Sequence, residues 1–387
     1  MKARKRIALL MVGVSSTGCG GAERFFADFF REYRASAKSA NELFFFTDPG
    51  TLQTLKTLRK LDEVPGVVKL SNVSNRFKRM LENWNILRKV IAHRINIIHV
   101  TNYGRNYFDR LSFLSRLPGF IRPRIIVNIV DCEIPYALGD KNSPKHEGYT
   151  ARYMPLFNSI KPDGIFTWYK LFCEFAQQEK LLKTGAALDY ARTRFTDTKG
   201  FSPAAVKQKH IVFAARLTGQ KQPLMFVEAI HWLKQNHPEL LRGWQCFMYG
   251  VGPLAEETAA MIRSKGLEDV LNLLPNTDLR PVYAASTCFV STQDYENFPS
   301  LSMNEAMAAG NVIVARNVGQ TNVFVKDGKN GFLAKEDNAQ GVGEALARFL
   351  QEPERHGAMM NESLRLAREV HTPGNFIEQI DAFWERV

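Results

Sequence analysis

The chain has no apolar stretch of the roughly 18 residues that a membrane-spanning helix needs, so no such helix is expected. Cysteine is scarce. There are five in 387 residues, at Cys19, Cys132, Cys173, Cys246 and Cys288. The number is odd, the spacing is wide, and no CxxC pair occurs, which excludes a disulfide framework and a structural zinc site. A reducing cytoplasm is the expected compartment, and the cysteines that fall in apolar segments read as small buried side chains. No Asp-rich or His-rich constellation suggests a metal, and there is no internal repeat or low-complexity segment. Carboxylates are short in one half only. Residues 1–200 hold 33 Lys and Arg against 18 Asp and Glu, a net +15; residues 201–387 hold 18 against 21, a net −3. The sum is the overall +12. Such asymmetry suggests that the first half meets an anionic partner: nucleic acid, a membrane face or a phosphorylated substrate.

What the chain has is apolar and aromatic bulk, 45% and 11%, enough for packed cores. Its length suggests two or three domains. The start, "MKARKRIALLMVGVSSTGCG", has the basic opening and apolar run of a signal peptide. The apolar run is only Ile7 to Val14, and "GGAERFFADFFREY" continues as a helix, so a first buried strand with a glycine turn is favoured.

Short apolar runs alternate with longer amphipathic ones. "RIALLMVGV", "LFFFT", "INIIHV", "RIIVNIV" and "GIFTW" read as strands apolar on both faces, as a helix-covered parallel sheet requires. Residues 185–208, rich in Gly, Pro, Thr and Lys, read as a connection between domains. The alternation then restarts with "HIVFAA", "WQCFMYG", "VLNLL", "TCFVST" and "NVIVAR". The expected fold class is α/β, with two doubly wound Rossmann-like domains facing a central cleft. The expected boundaries are 1–200 for an acceptor-binding domain, 201–370 for a nucleotide-sugar-binding domain, and 371–387 for a last helix crossing back to the first. Ligands in such sheets bind outside the carboxyl ends of the strands.

The turns at those ends carry the candidates. Gly20 and Gly21, with Gly18, allow close backbone approach before a helix that offers free N–H groups to an anion. By itself this reads more readily as a plain glycine-rich connection. "FAARLTGQKQP" places Arg216 and Lys221 at a turn into a helix beginning near Pro223, where two cations could neutralise a diphosphate. Two solvated charges are the rival reading. Gly250 and Gly252 in "YGVGPL" again suggest a backbone-approach turn. In "ENFPSLSMNEAMAAG", Pro299 and Ser300 mark a helix start; Glu296 precedes it and Glu305 lies in its first turns. A carboxylate accepting from two vicinal hydroxyls grips a ribose. His99, ending "INIIHV", is a further candidate placed at a strand end facing the cleft.

Taken together, "GGAER", "RLTGQK", "YGVGPL", "ENFPSLSMNEAMAAGNVIVARNVG" and "KDGKNGFLAKEDN" resemble the retaining glycosyltransferases of the GT-B fold, family 4, over nearly the whole chain. The resemblance implies that Arg216 and Lys221 hold a nucleotide diphosphate, that Glu305 holds the ribose, and that Glu296 lies near the donor sugar. It also implies that the backbone at Phe298, Pro299, Ser300, Leu301 and Ser302 lies near the sugar and phosphates, with Gly20 and Gly21 closing on the diphosphate. Two departures stand out. Eight residues separate Glu296 from Glu305, where the family motif has seven. Where many members carry a histidine, this chain offers Asp131, or Val130 beside it.

The implied reaction transfers a sugar from a nucleoside diphosphate to an acceptor hydroxyl with retention, using no cofactor and no metal. The implied partners are the nucleotide-sugar donor and a glycan or lipid-linked acceptor, as in cell-envelope glycan assembly. Peripheral contact with an anionic membrane is expected from "RFKRMLENWNILRKVIAHR", where Arg76, Lys78, Arg79, Arg88, Lys89 and Arg94 accompany Phe77, Trp84 and Ile91. A solvated basic face is the rival there. The rival functions are a sugar-nucleotide epimerase on the same fold, and a nucleic-acid-binding protein. The latter lacks a recognised module, so no nucleic acid is expected.

Overall fold

The structure, a computed structural model, describes residues 4–14, 21–37, 39–59, 64–70, 76–102, 105–131, 133–139, 142–296, 298 and 300–387; the side chains at 57–59, 76–80, 105, 106 and 109 also lie outside the description. The chain divides into two units. Met1–Arg192 with Pro373–Val387 form the first, and Thr193–Thr372 the second.

The first unit runs β1 (Arg6–Met11), α1 (Gly21–Ala35), β2 (Glu42–Thr47), α2 (Pro49–Arg59), β3 (Val67–Lys69), α3 (Arg76–Ala92), β4 (Ile97–Val100), α4 (Arg105–Ser115), β5 (Arg124–Ile129), α5 (Glu133–Gly139), α6 (His146–Ile160), β6 (Gly164–Thr167), α7 (Lys170–Gln178) and β7 (Ala187–Tyr190). Its strands form one parallel sheet in the order β3-β2-β1-β4-β5-β6-β7. The basic start and apolar run thus lead into β1, a strand with neighbours on both sides. β1, β2 and β4 are buried almost throughout, which is why their sequences show no polar alternation.

β7 lies inside the stretch 185–208 that reads as a connection. It is a four-residue strand at the sheet edge, with only Ala187 fully buried. A half-buried strand this short carries too little apolar signal to stand out.

The second unit runs β8 (Gln208–Ala214), α8 (Pro223–Asn236), β9 (Gln245–Tyr249), α9 (Ala255–Ser264), β10 (Leu271–Leu274), α10 (Leu279–Ala285), β11 (Ser286–Ser291), α11 (Leu301–Ala308), β12 (Val312–Ala315), β13 (Gly331–Leu333), α12 (Ala339–Gln351) and α13 (His356–Arg365). The sheet order is β10-β9-β8-β11-β12-β13, again all parallel. Counted from its own first strand this is 3-2-1-4-5-6, the doubly wound dinucleotide-binding order, and the first six strands of the other sheet share it. The order reverses between β8 and β11, so the crevice outside their carboxyl ends is where such a sheet takes ligands.

The last helix, α14 (Pro373–Arg386), completes the first unit. Phe376 meets the rings of Phe25 and Phe29 of α1 at 5.1 and 5.2 Å, and Phe383 meets Phe166 of β6 at 5.2 Å. The buried Asp381 carboxylate accepts from the Tyr33 hydroxyl at 2.5 Å, the Asn41 side-chain amide at 2.8 Å and the Ala40 N–H at 3.0 Å. Burial, with the Asp381 carboxylate next to it, pushes the Tyr33 hydroxyl well above its ordinary pKa.

Candidate functional site

The second unit gathers Arg216, Lys221 and Glu296 at the carboxyl ends of its two switch-point strands. Arg216 follows β8 and is exposed. Lys221 closes the 3-10 turn Gly219–Lys221. Gln222, at φ 50°, then reverses the chain into α8, which opens with Pro223 at its first position.

The loop after β11 is latched onto that turn. The Thr292 hydroxyl donates to the carbonyls of Lys221 and Gln222, at 3.0 and 2.8 Å, and the Asp294 N–H donates to the Gln220 carbonyl at 2.9 Å. The Lys221 ammonium donates to the Gln293 side-chain oxygen, and the Gln293 amide donates to the Glu296 carbonyl. Lys221 and Glu296 are therefore joined through one side chain.

Glu296 is buried, and its Oε1 accepts from the Phe298 N–H at 2.9 Å and the Gln320 N–H at 2.7 Å. Its visible work is to fold the loop between β11 and α11 and to tie it to the segment after β12. Phe298 is buried against Phe324, at 5.3 Å between rings, so its side chain anchors this loop in the core. Ser300 caps α11, its hydroxyl accepting from the Met303 N–H at 3.3 Å. Leu301 and Ser302 follow in the first turn, half-buried. Pro299 and Gly20 lie outside the described residues.

Glu305 is half-buried on α11, close enough to Tyr283 of α10 for its charge to act there. Burial first, and then its negative charge, push the Tyr283 hydroxyl well above the ordinary value. The residue with seven others between it and Glu296 is Asn304, which is buried and donates from its amide to the Arg194 carbonyl at 3.4 Å. The additional residue in the motif thus sets an amide at the family spacing and the carboxylate one step further around the helix.

The two glycines after β9 pack against the loop that carries Arg216. A Cβ at Gly250 would lie 2.0 Å from the Ala215 carbonyl oxygen, and one at Gly252 would lie 2.4 Å from that of Leu217. The Leu217 N–H donates to the Val251 carbonyl at 3.0 Å, and the Leu254 N–H donates back to the Leu217 carbonyl at 3.0 Å. Only glycine permits this approach, and it fixes the backbone on both sides of Arg216.

In the first unit, Gly21 opens α1. Asp131 follows β5, and its Oδ1 accepts from the Glu133 N–H at 3.0 Å, capping the start of α5. The bulk around it raises its carboxyl above the ordinary value. His99 does not face a strand-end opening. It is buried on β4, its Nδ1 accepting from the Trp384 indole N–H of α14 at 3.0 Å, and burial drives its pKa down to about 3. Position along a strand does not tell which face a side chain takes.

Three supports escaped the sequence reading. Buried Arg316 donates to the Thr292 carbonyl at 3.2 Å, and to Asp294 and Asp337 at 3.3 and 2.6 Å, holding the latched loop from behind. Lys207 donates to the carbonyls of Tyr283 and Ala309, at 3.0 and 2.6 Å, at the ends of α10 and α11; burial lowers its pKa to about 7. Asp48 accepts from the Gly13 N–H at 2.8 Å and fixes the turn after β1. Only Asp48, before a proline at a strand end, carries a recognisable cap signal. Among the described residues no three His, Cys, Asp or Glu side chains are grouped as metal ligands.

Residues 195–365 match the family model described as "Glycosyl transferases group 1". A D-inositol 3-phosphate glycosyltransferase of Actinosynnema mirum is 28% identical over 178 residues, 44% of this chain and 42% of that protein. A putative colanic acid biosynthesis glycosyltransferase, WcaL of Escherichia coli, is 27% identical over 168 residues, 40% of each. The chain spans about half or less of the length of these curated relatives. The solved structure of Anabaena Alr3699/HepE in complex with UDP superposes with a TM-score of 0.71 at 15% identity, covering 99% of this chain and 100% of that one. Residues 195–365 therefore form a group 1 glycosyltransferase domain, and the chain as a whole has the GT-B fold.

Proposed function

We propose that the protein is a retaining hexosyltransferase that moves a sugar from a nucleoside diphosphate to an acceptor hydroxyl in cell-envelope polysaccharide or glycolipid synthesis. The observation that carries this reading is the latch joining Lys221 to Glu296 at the switch point of the second sheet. It fixes a cation and a loop backbone where the diphosphate of a donor belongs.

Breaking the bond from the anomeric carbon to the diphosphate builds negative charge on the leaving oxygens. Arg216, Lys221 and the N-terminal amides of α11 are the groups set to stabilise it. A single pre-placed donor of this kind contributes about 3–4 kcal/mol. Glu305 grips the ribose hydroxyls, and the backbone at Phe298, Ser300, Leu301 and Ser302 lines the sugar. Glu296 shapes this loop beside the donor sugar. Gly250 and Gly252 hold Arg216. Retention by attack from the leaving-group face is the favoured route. Asp131 is the candidate for the role of the family histidine. No metal or cofactor enters this reading.

The acceptor is a glycan or a lipid-linked sugar, and the basic first unit is the part that meets an anionic membrane face. UDP-sugars are the first donors to test, since the HepE structures hold UDP and UDP-glucose. Thermal stabilisation across a panel of nucleotide sugars identifies the donor. Release of free nucleotide that depends on added acceptor marks a transferase; conversion of the nucleotide sugar to its epimer without acceptor marks an epimerase.

A further inference from the structure

Seven large apolar side chains stand exposed among the described residues: Leu81, Trp84, Ile91, Phe120, Val206, Val251 and Tyr295. The first three lie on α3, and Phe120 lies just beyond α4. Leu81, Trp84 and Ile91 are 52%, 52% and 55% exposed, and the spacing 81-84-88-91 puts them with exposed Arg88 on one stripe. The opposite face of α3, with Ile86, Leu87 and Val90, is buried, so the stripe is the outward side of a packed helix. Trp84 reaches the ring of Phe113 on α4 at 6.1 Å, and a groove between the two helices is lined by Asn83, Ser112, Phe113, Arg116 and Leu117. Three residues past Leu117, Phe120 is 89% exposed.

The charge around these side chains is mostly basic, with Arg122 and Arg124 paired to Asp163 at 3.1 and 3.3 Å. Between residues 83 and 124 the chain has eight Lys and Arg and one carboxylate, Asp109, whose side chain lies outside the description. The one acidic residue just before, Glu82, is buried and paired with Arg110 at 2.7 Å. The side chains of Arg76, Phe77, Lys78 and Arg79, also read from the sequence as part of this surface, lie outside the description and carry no part here.

We infer that the outward stripe of α3, with Phe120 and the arginines beside it, is a docking surface for an anionic phospholipid bilayer. The inference deepens the membrane-facing acceptor proposed above and rests on it only for its purpose, not for its chemistry. An exposed indole, two aliphatic chains and a phenyl ring gain by leaving water for the acyl boundary, and tryptophan is suited to the headgroup level. Arg88 and Arg116 keep their charged heads at the phosphates while their stems lie along the apolar surface. A nucleic acid would satisfy the arginines and leave the aliphatic side chains in water, so the bilayer is the better occupant.

The test is co-sedimentation of the full chain with phosphatidylcholine vesicles, with and without about one third phosphatidylglycerol, in roughly 0.1 M salt. The wild type binds the anionic vesicles and not the zwitterionic ones. Trp84→Ala with Phe120→Ala lowers the partition coefficient about tenfold. Arg88→Glu with Arg116→Glu removes the preference for anionic lipid. Both variants keep the wild-type melting temperature, because the residues are exposed, and both keep thermal stabilisation by added nucleotide. Wild type that stays in the supernatant, or variants that sediment as the wild type does, overturns the docking surface. So does loss of an oligomer or of RNA binding in the same variants with lipid binding unchanged. Failure of nucleotide stabilisation in the wild type counts against the transferase reading alone and leaves the lipid result standing.

Discussion

The indole of Trp384, three residues from the end of the chain, donates to Nδ1 of His99 at 3.0 Å in the core of the first unit. That bond requires the neutral ring, and burial holds the His99 pKa at about 3. A folded pKa below the ordinary value near 6.5 gives stability that is complete above about pH 6.5 and is lost as pH falls toward 3. His371, lowered by burial to about 4, acts in the same direction in the second unit. At pH 5 the cost from His99 alone is about 2 kcal/mol. Urea unfolding at about pH 7.5 and pH 5 measures it. His99→Gln should unfold more easily at neutral pH and lose less on acidification than the wild type. An unchanged slope would mean the ring is not held neutral.

Asp381 predicts a larger and local effect. Its carboxylate satisfies Tyr33, Asn41 and the Ala40 amide, all in the first unit. Asp381→Ala leaves the buried Tyr33 and Asn41 donors unpaired and should destabilise the first unit by about 3 kcal/mol. Limited proteolysis should then release α14 early while the second unit persists. Release at the wild-type rate would contradict the network's role.

The glycines after β9 separate close packing from mere presence. Gly250→Ala drives a Cβ into the Ala215 carbonyl at 2.0 Å, so the loop bearing Arg216 must move. Gly219→Ala, with nothing within 4 Å of the new atom, is the control. Nucleotide stabilisation should fall in the first and persist in the second. Equal behaviour in both would remove the support assigned to Gly250.

Gln293 tests the latch. It accepts from Lys221 and donates to the Glu296 carbonyl, so Gln293→Ala removes the one side chain that bridges the two. The expected result is a drop of about tenfold in kcat/KM at little cost in melting temperature, in line with the loss of one positioned contact. Full activity would show that the latch does not set the position of Lys221.

The sequence made the strands of both sheets legible because β1, β2, β4, β5 and β11 are buried on both faces and read as unbroken apolar runs. Arg216, Lys221 and Glu296 were legible as strand-end residues, because the switch point collects whatever follows β8 and β11. Other features were hidden for physical reasons. β3 and β13 are three residues long, too short for periodicity. The facing of His99 depends on strand register, with Leu9 and Ile126 as its partners, which no local pattern encodes. Gln293, Arg316 and Lys207 work through long-range contacts to carbonyls and loops, and their residue types in isolation look like solvated polar groups.

Titration of the protein with UDP, followed by turnover with the matching sugar nucleotide, tests the central claim most directly. The wild type should bind, while Lys221→Ala and Glu305→Ala, folded to the wild-type melting temperature, should lose about a hundredfold in turnover, Lys221→Ala through the diphosphate and Glu305→Ala through the ribose. Wild-type turnover in both variants would mean that the reacting nucleotide does not sit at the carboxyl ends of β8 and β11.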